Sequence, residues 1–122
     1  MRYSAELSQA SRAHCEDIGP KGLLQHASSD GTRVKDRLRR FGKVIAFYGE
    51  NISFQCTSAH DIILEFLIDD GVENRGHRAN LFNKDFRVCG VYSGEHRKHG
   101  TMLCIDYAVS FVKPGEDDPI ER

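Results

Sequence analysis

No apolar run in this chain approaches the ~20 residues needed to cross a bilayer, which excludes a spanning helix. The opening segment, MRYSAELSQASRAH, holds no apolar core of the ~7 to 15 residues that a secretory signal requires, so no such signal is visible. Charge of either sign is not in excess. A net charge of -1 and a pI of about 6.6 give no bulk attraction to nucleic acid or anionic lipid. The four cysteines, Cys15, Cys56, Cys89 and Cys104, include no CxxC pair, which argues against a thiolate zinc site and leaves disulfides and free thiols both open. The catalytic signatures HExxH and GxSxG are missing too.

What is present suits one globular domain: 122 residues, 39 % hydrophobic and 29 % charged. Tyr3, Leu7, Ala10 and His14 form one stripe of a first helix over residues 3–17, ended by GPKG, and His14 is expected at the edge of the core. Asp30 or Thr32 caps a second helix carrying Val34, Leu38 and Phe41, with Gly42 closing it. Ala59, Ile62, Ile63, Phe66 and Leu67 mark a third helix, capped by Thr57 or Ser58 and stopping near Asp70. RGHRANLF is expected in the loop beyond it.

Strand signals are equally local. VIAFYGENISFQC is β-branched and aromatic and reads as extended chain interrupted at Gly49. Residues 86–92 and 101–112 are two further strands, joined by the polar loop SGEHRKHG as a hairpin. In the last strand Leu103, Ile105, Tyr107, Val109 and Phe111 share a strongly apolar face, and Met102, Cys104, Asp106, Ala108 and Ser110 share a mixed one. Two faces of this kind imply helices on both sides of the sheet. Cys89 and Cys104 can be bridged if the hairpin register sets them opposite each other. The domain is expected to span 1–112, with 113–122 a flexible tail.

Glu50 carries the first chemical signal. On a strand it shares a face with Ile52 and Phe54, and an unpaired carboxylate there would cost several kcal/mol, so a histidine or metal ion is expected beside it. His26, after an apolar pair, and His77, in the glycine-rich segment, are the candidates. His96 and His99 have metal-like HxxH spacing, but an exposed hairpin turn is a poor place for a site.

Five segments in order, LLQH, GENISF, GHRANLF, VCGV and LCIDYAVSF, resemble the CAP superfamily of SCP-like domains: cysteine-rich secretory proteins, antigen five and pathogenesis-related proteins. The resemblance spans about residues 5–112. It implies an α+β fold, a three-layer α-β-α sandwich with a central antiparallel sheet, and a cleft lined by two histidines and two acids. Carried over residue by residue, these are His26, Glu50, His77 and an acid near the end of the third helix, where Asp69 is preferred over Glu65 and Asp70. The resemblance also implies extracellular placement and a recognition role, some relatives carrying sterols or fatty acids, so the expected partner is a ligand, lipid included, or a protein.

His26 and His77 could hold Zn²⁺ or another divalent metal through neutral nitrogens at ~2.0 to 2.1 Å, as a labile and pH-dependent site. Arg78 and Asn80 are expected to position the loop that presents His77. A metal-dependent, protease-like hydrolase using Glu50 as base is the alternative, and recognition without catalysis is the preferred reading. A third reading rests on the HxxN spacing from His77 to Asn80, which resembles HNH nucleases, and on the basic run RVKDRLRRFGK. Residues 83–92 lack the second histidine such a site needs, and the basic run is expected to be a solvated helix face.

Overall fold

The computed structural model describes residues 1–55, 57–68 and 76–115. Cys56, Asp69, Asp70 and the tail from 116 onward lie outside them.

Helix α1 (Ala5–Ile18) begins where Ser4 Oγ accepts the Leu7 N–H at 3.1 Å. Its stripe buries Leu7, Ala10 and His14 as the spacing predicts and adds Ile18, whereas Tyr3, expected on that stripe, precedes the helix and is exposed, and His14 is fully buried where a core-edge place was expected. The short α2 (Val34–Arg39) follows, without a side-chain cap. Asp30 instead accepts from Thr32 N and Oγ1 in an Asx turn, which engages both expected caps one turn too early. Gly42 is not a helix cap either. A Cβ there would press on the Val112 carbonyl and the Phe111 ring, so its place in the fold is a close approach.

The sheet has four strands in the order β1-β3-β4-β2. Strand β1 (Arg2–Tyr3) is a two-residue parallel addition to β3. Strands β2 (Lys43–Phe54), β3 (Val88–His96) and β4 (Gly100–Val112) are antiparallel to their neighbours. The interruption of β2 falls between Ile45 and Tyr48, where Ala46 has φ 65°, and not at Gly49. Gly49 is required for another reason, because a Cβ would meet Asn80 Oδ1 and the Phe86 ring.

The hairpin is tighter than expected. Strand β3 runs on through Ser93, Gly94, Glu95 and His96, so His96 is buried rather than exposed. Its Nδ1 accepts the N–H groups of Lys98 and His99, and its Nε2 bonds the Leu23 carbonyl, so the ring serves as an internal turn brace. The register sets Cys89 against Tyr107 and Cys104 against Tyr92, which rules out a Cys89–Cys104 bridge; both are free thiols, as is Cys15.

Helix α1 lies on β3 and β4, α2 on β2, and α3 (Ala59–Ile68) and α4 (Gly76–Phe82) on β2 from the other side. This is a three-layer α-β-α sandwich. RGHRANLF therefore contributes a helix where a loop was expected, from Gly76 onward. Depth is also distributed otherwise than hydrophobicity suggests. The mixed face of β4 is the deeper one: Met102, Cys104, Asp106 and Ala108 are essentially sealed and Ser110 half-buried, while on the apolar face Tyr107 is sealed and Leu103, Ile105, Val109 and Phe111 are half-buried. A carboxylate thus sits at the centre of the core.

Candidate functional site

Glu50 and Asn51 are consecutive on β2, an edge strand, and their side chains leave on opposite faces of the sheet. Each one holds a predicted histidine. On the α1/α2 face, Glu50 Oε1 lies 2.8 Å from His26 Nδ1. On the α3/α4 face, Asn51 Nδ2 donates to the His77 carbonyl at 3.0 Å, and the His77 ring stacks on Phe66 at 5.2 Å. Among the described residues no strand pairs beyond β2, and both histidines attach along that edge strand.

The loop carrying His26 is pinned at both ends. His14 Nε2 bonds the Gln25 carbonyl at 2.8 Å. Burial and the nearby Arg37 charge lower the pKa of His14, so the neutral ring donates that bond. Asp17 accepts the Ser29 N–H at 2.8 Å and the Lys21 ammonium at 2.8 Å. Between these anchors the His26 side chain remains 55 % exposed, while that of Glu50 is 3 % exposed.

Arg78 and Asn80 act from α4. Arg78 Nε donates to the Leu67 carbonyl and Nη2 to that of Ile68 at 3.3 Å, closing the end of α3. Asn80 Nδ2 donates to the Glu50 carbonyl at 3.1 Å and to Asn51 Oδ1 at 2.9 Å. Of the candidate second acids, Glu65 accepts from Ser53 Oγ at 2.6 Å, and Asp69 and Asp70 fall outside the described residues.

Two further neighbours of Glu50 were not anticipated. Arg37, expected on a solvated basic face, is 2 % exposed; its Nη2 bonds Glu50 Oε2 and lies 3.6 Å from Asp106 Oδ1. The spacing carried a signal, since Arg37 stands three residues after Val34 and four before Phe41, on the apolar stripe itself. Asp106 pairs directly with Glu50 across the strands, accepts from Ser11 Oγ at 2.8 Å, and lies 3.7 Å from Cys104 Sγ.

Electrostatics separate the two acids. Burial alone would push Glu50 up, but bonds from Asp106 and His26, with the Arg37 charge, outweigh it and hold the group at about 2. Burial and the Glu50 charge push Asp106 well above the carboxylate range, so it is the protonated member and donates toward Glu50. One guanidinium neutralises one carboxylate, and the second acid carries its proton. Since ionised Glu50 only accepts, His26 must present Nδ1–H to it, leaving Nε2 for other partners.

Glu50, Cys104 and Asp106 also bring ligand atoms within 4.8 Å of one another, a spacing compatible with a metal ion. The chemistry of this set fits a cation poorly. The Arg37 guanidinium already supplies the positive charge between the two acids, and burial pushes the Cys104 thiol well above its ordinary range, away from the thiolate that binds metal. His26, with its side chain 55 % exposed and Nδ1 on Glu50, offers the better donor in Nε2.

A three-layer sandwich whose edge strand gathers a histidine–carboxylate pair defines an SCP-type domain. The chain belongs to the CAP family, the cysteine-rich secretory protein family, which it matches over residues 1–109. Among solved structures it is similar to an outer surface protein from Borrelia burgdorferi, with TM-score 0.73 and 13 % identity over 88 % of this chain and 76 % of that one. It is also similar to an extracellular protein containing a SCP domain from Bacillus anthracis, with TM-score 0.68 and 21 % identity over 88 % of this chain and 33 % of that longer one. No curated protein matches the sequence. Among the described residues no helix is long and apolar enough to cross a membrane.

Proposed function

We propose that this CAP domain is a recognition module of the cell exterior whose His26 and His77 together hold a divalent ion, zinc foremost, at the free edge of β2. The observation that carries the reading is the His26–Glu50 pair: a buried carboxylate engages Nδ1 of a ring whose side chain is 55 % exposed. His77 is tied to the next residue of the same strand through Asn51. Asn80 and Arg78 fix α4 against β2 and α3, and Asp69 is assigned as the second acid. The outer-surface and extracellular descriptions of the two structural relatives support the location.

Two imidazoles make a labile site, because protons compete for the same nitrogens and open coordination positions remain for a ligand or partner group. Burial pushes Cys15 up to about 12 and Cys104 well above its ordinary value, so neither thiol is a nucleophile near neutral pH. Zinc titration by calorimetry is expected to show one weak site whose affinity falls as pH is lowered, because protons compete for the imidazole nitrogens. His26→Ala and His77→Ala should each weaken it at least tenfold. Unchanged affinity in either variant would remove that histidine from the site. Peptide and ester turnover that disappears in folded Glu50→Gln would replace recognition by hydrolysis.

A further inference from the structure

We infer that Arg37 is a positioning residue for His26: it fixes the Glu50 carboxylate so that one oxygen is committed to the core and the other holds the His26 ring in its Nδ1–H form. The inference rests on the proposed metal site for its purpose, though its geometry stands apart from any ion.

A carboxylate on a strand can turn about its terminal torsion and exchange its two oxygens, and an exposed imidazole can carry its proton on either nitrogen. Here both freedoms are removed. Oε2 of Glu50 takes the bond from Arg37 Nη2 and lies 3.4 Å from Cys104 Sγ. Asp106, opposite Glu50 in the strand register, is itself held by Ser11 from α1. With Oε2 fixed from α2 and β4, Oε1 is left to face the loop between α1 and α2, where it meets His26 at 2.8 Å.

Arg37 contributes through Nη2, while Nε and Nη1 find no acceptor among the described residues. Burying a guanidinium this incompletely satisfied costs stability that an apolar residue would not. An arginine retained there for fold stability alone would be a poor choice, and a role in holding Glu50 gives it a reason.

The test reads the ring directly. Long-range ¹H–¹⁵N correlation on the metal-free protein at pH 8 is expected to show His26 of the parent with Nδ1 protonated and Nε2 bare. Arg37→Met should give a mixture of the two ring forms. Asp106→Asn, which keeps a donor toward Glu50 and an acceptor for Ser11, should preserve the parent pattern, and Arg37→Lys should restore part of it. Zinc affinity should fall at least tenfold in Arg37→Met and little in Asp106→Asn.

A parent ring already divided between both forms overturns the inference without recourse to any variant, as does a folded Arg37→Met with the parent pattern. If the ring is locked in the parent and released in Arg37→Met, yet the parent takes up no zinc, the positioning role stands and the metal reading falls.

Discussion

At Glu50 and its neighbours, single residues show how burial selects protonation. Burial and the negative charges of Asp106 and Glu50 push the Cys15 thiol up to about 12 and the Cys104 thiol well above its ordinary value. The thiolate is the reactive form, so both should resist alkylation. With iodoacetamide at pH 8, peptide mass mapping of the native protein is expected to find Cys15 and Cys104 unmodified and both fully modified in denaturant. Rapid native labelling at either position would mean that the core around Glu50 opens readily. Residue chemistry also explains why Glu50 and His26 were legible and Arg37 and Asp106 were not. A carboxylate among Ile52 and Phe54 announces a need for a cation, but sequence cannot say whether histidine, arginine or metal meets it. Here His26 and Arg37 both do.

Elements were legible where one periodicity ruled. The stripes of α1 and α3 and the alternation of β4 are visible in the sequence because each segment meets the core along one line or face. RGHRANLF was not legible as a helix, since none of its residues from Gly76 to Phe82 is buried and no stripe therefore exists to be seen. Asp106 was legible only as one member of a mixed face; hydrophobicity gives no sign of its full burial, which Arg37 and Ser11 make tolerable. Contact between elements can be tested at Gly90, where α1 crosses β3. A Cβ there would overlap the main chain of Leu7 and Ser8, and neither backbone can yield without lifting α1 from the sheet. Gly90→Ala is expected to destabilise by about 3 kcal/mol, read as a lower urea midpoint. By contrast, Ala46→Gly relieves a left-handed residue in the bulge and should gain roughly 0.5 to 1 kcal/mol. A neutral Gly90→Ala would show that α1 is not seated as described.

Across the whole molecule, the Arg37–Glu50–Asp106 cluster joins α1 through Ser11, α2 through Arg37, β2 through Glu50 and β4 through Asp106, so its protonation is coupled to global stability. The two acids act with opposite sign. Glu50 falls from its ordinary 4.5 to about 2, so its contribution, about 3 kcal/mol, is present above 4.5 and is lost as pH falls through the folded value. Asp106 is raised, so its contribution is full below its ordinary 3.8 and is lost as pH rises toward its folded value. Asp106→Asn stays neutral at every pH and leaves Glu50 in place. Subtracting parent from variant therefore isolates Asp106. In urea unfolding followed from pH 3 to pH 7, the variant is expected to gain on the parent above about pH 4, at up to about 1.4 kcal/mol per pH unit, while both lose stability together at the acid end. Parallel curves over the whole range would mean that Asp106 binds its proton no more tightly in the folded protein than in the unfolded chain. The neutral carboxyl at the centre of the core would then have to be given up, and with it the arrangement that leaves Glu50 ionised toward His26.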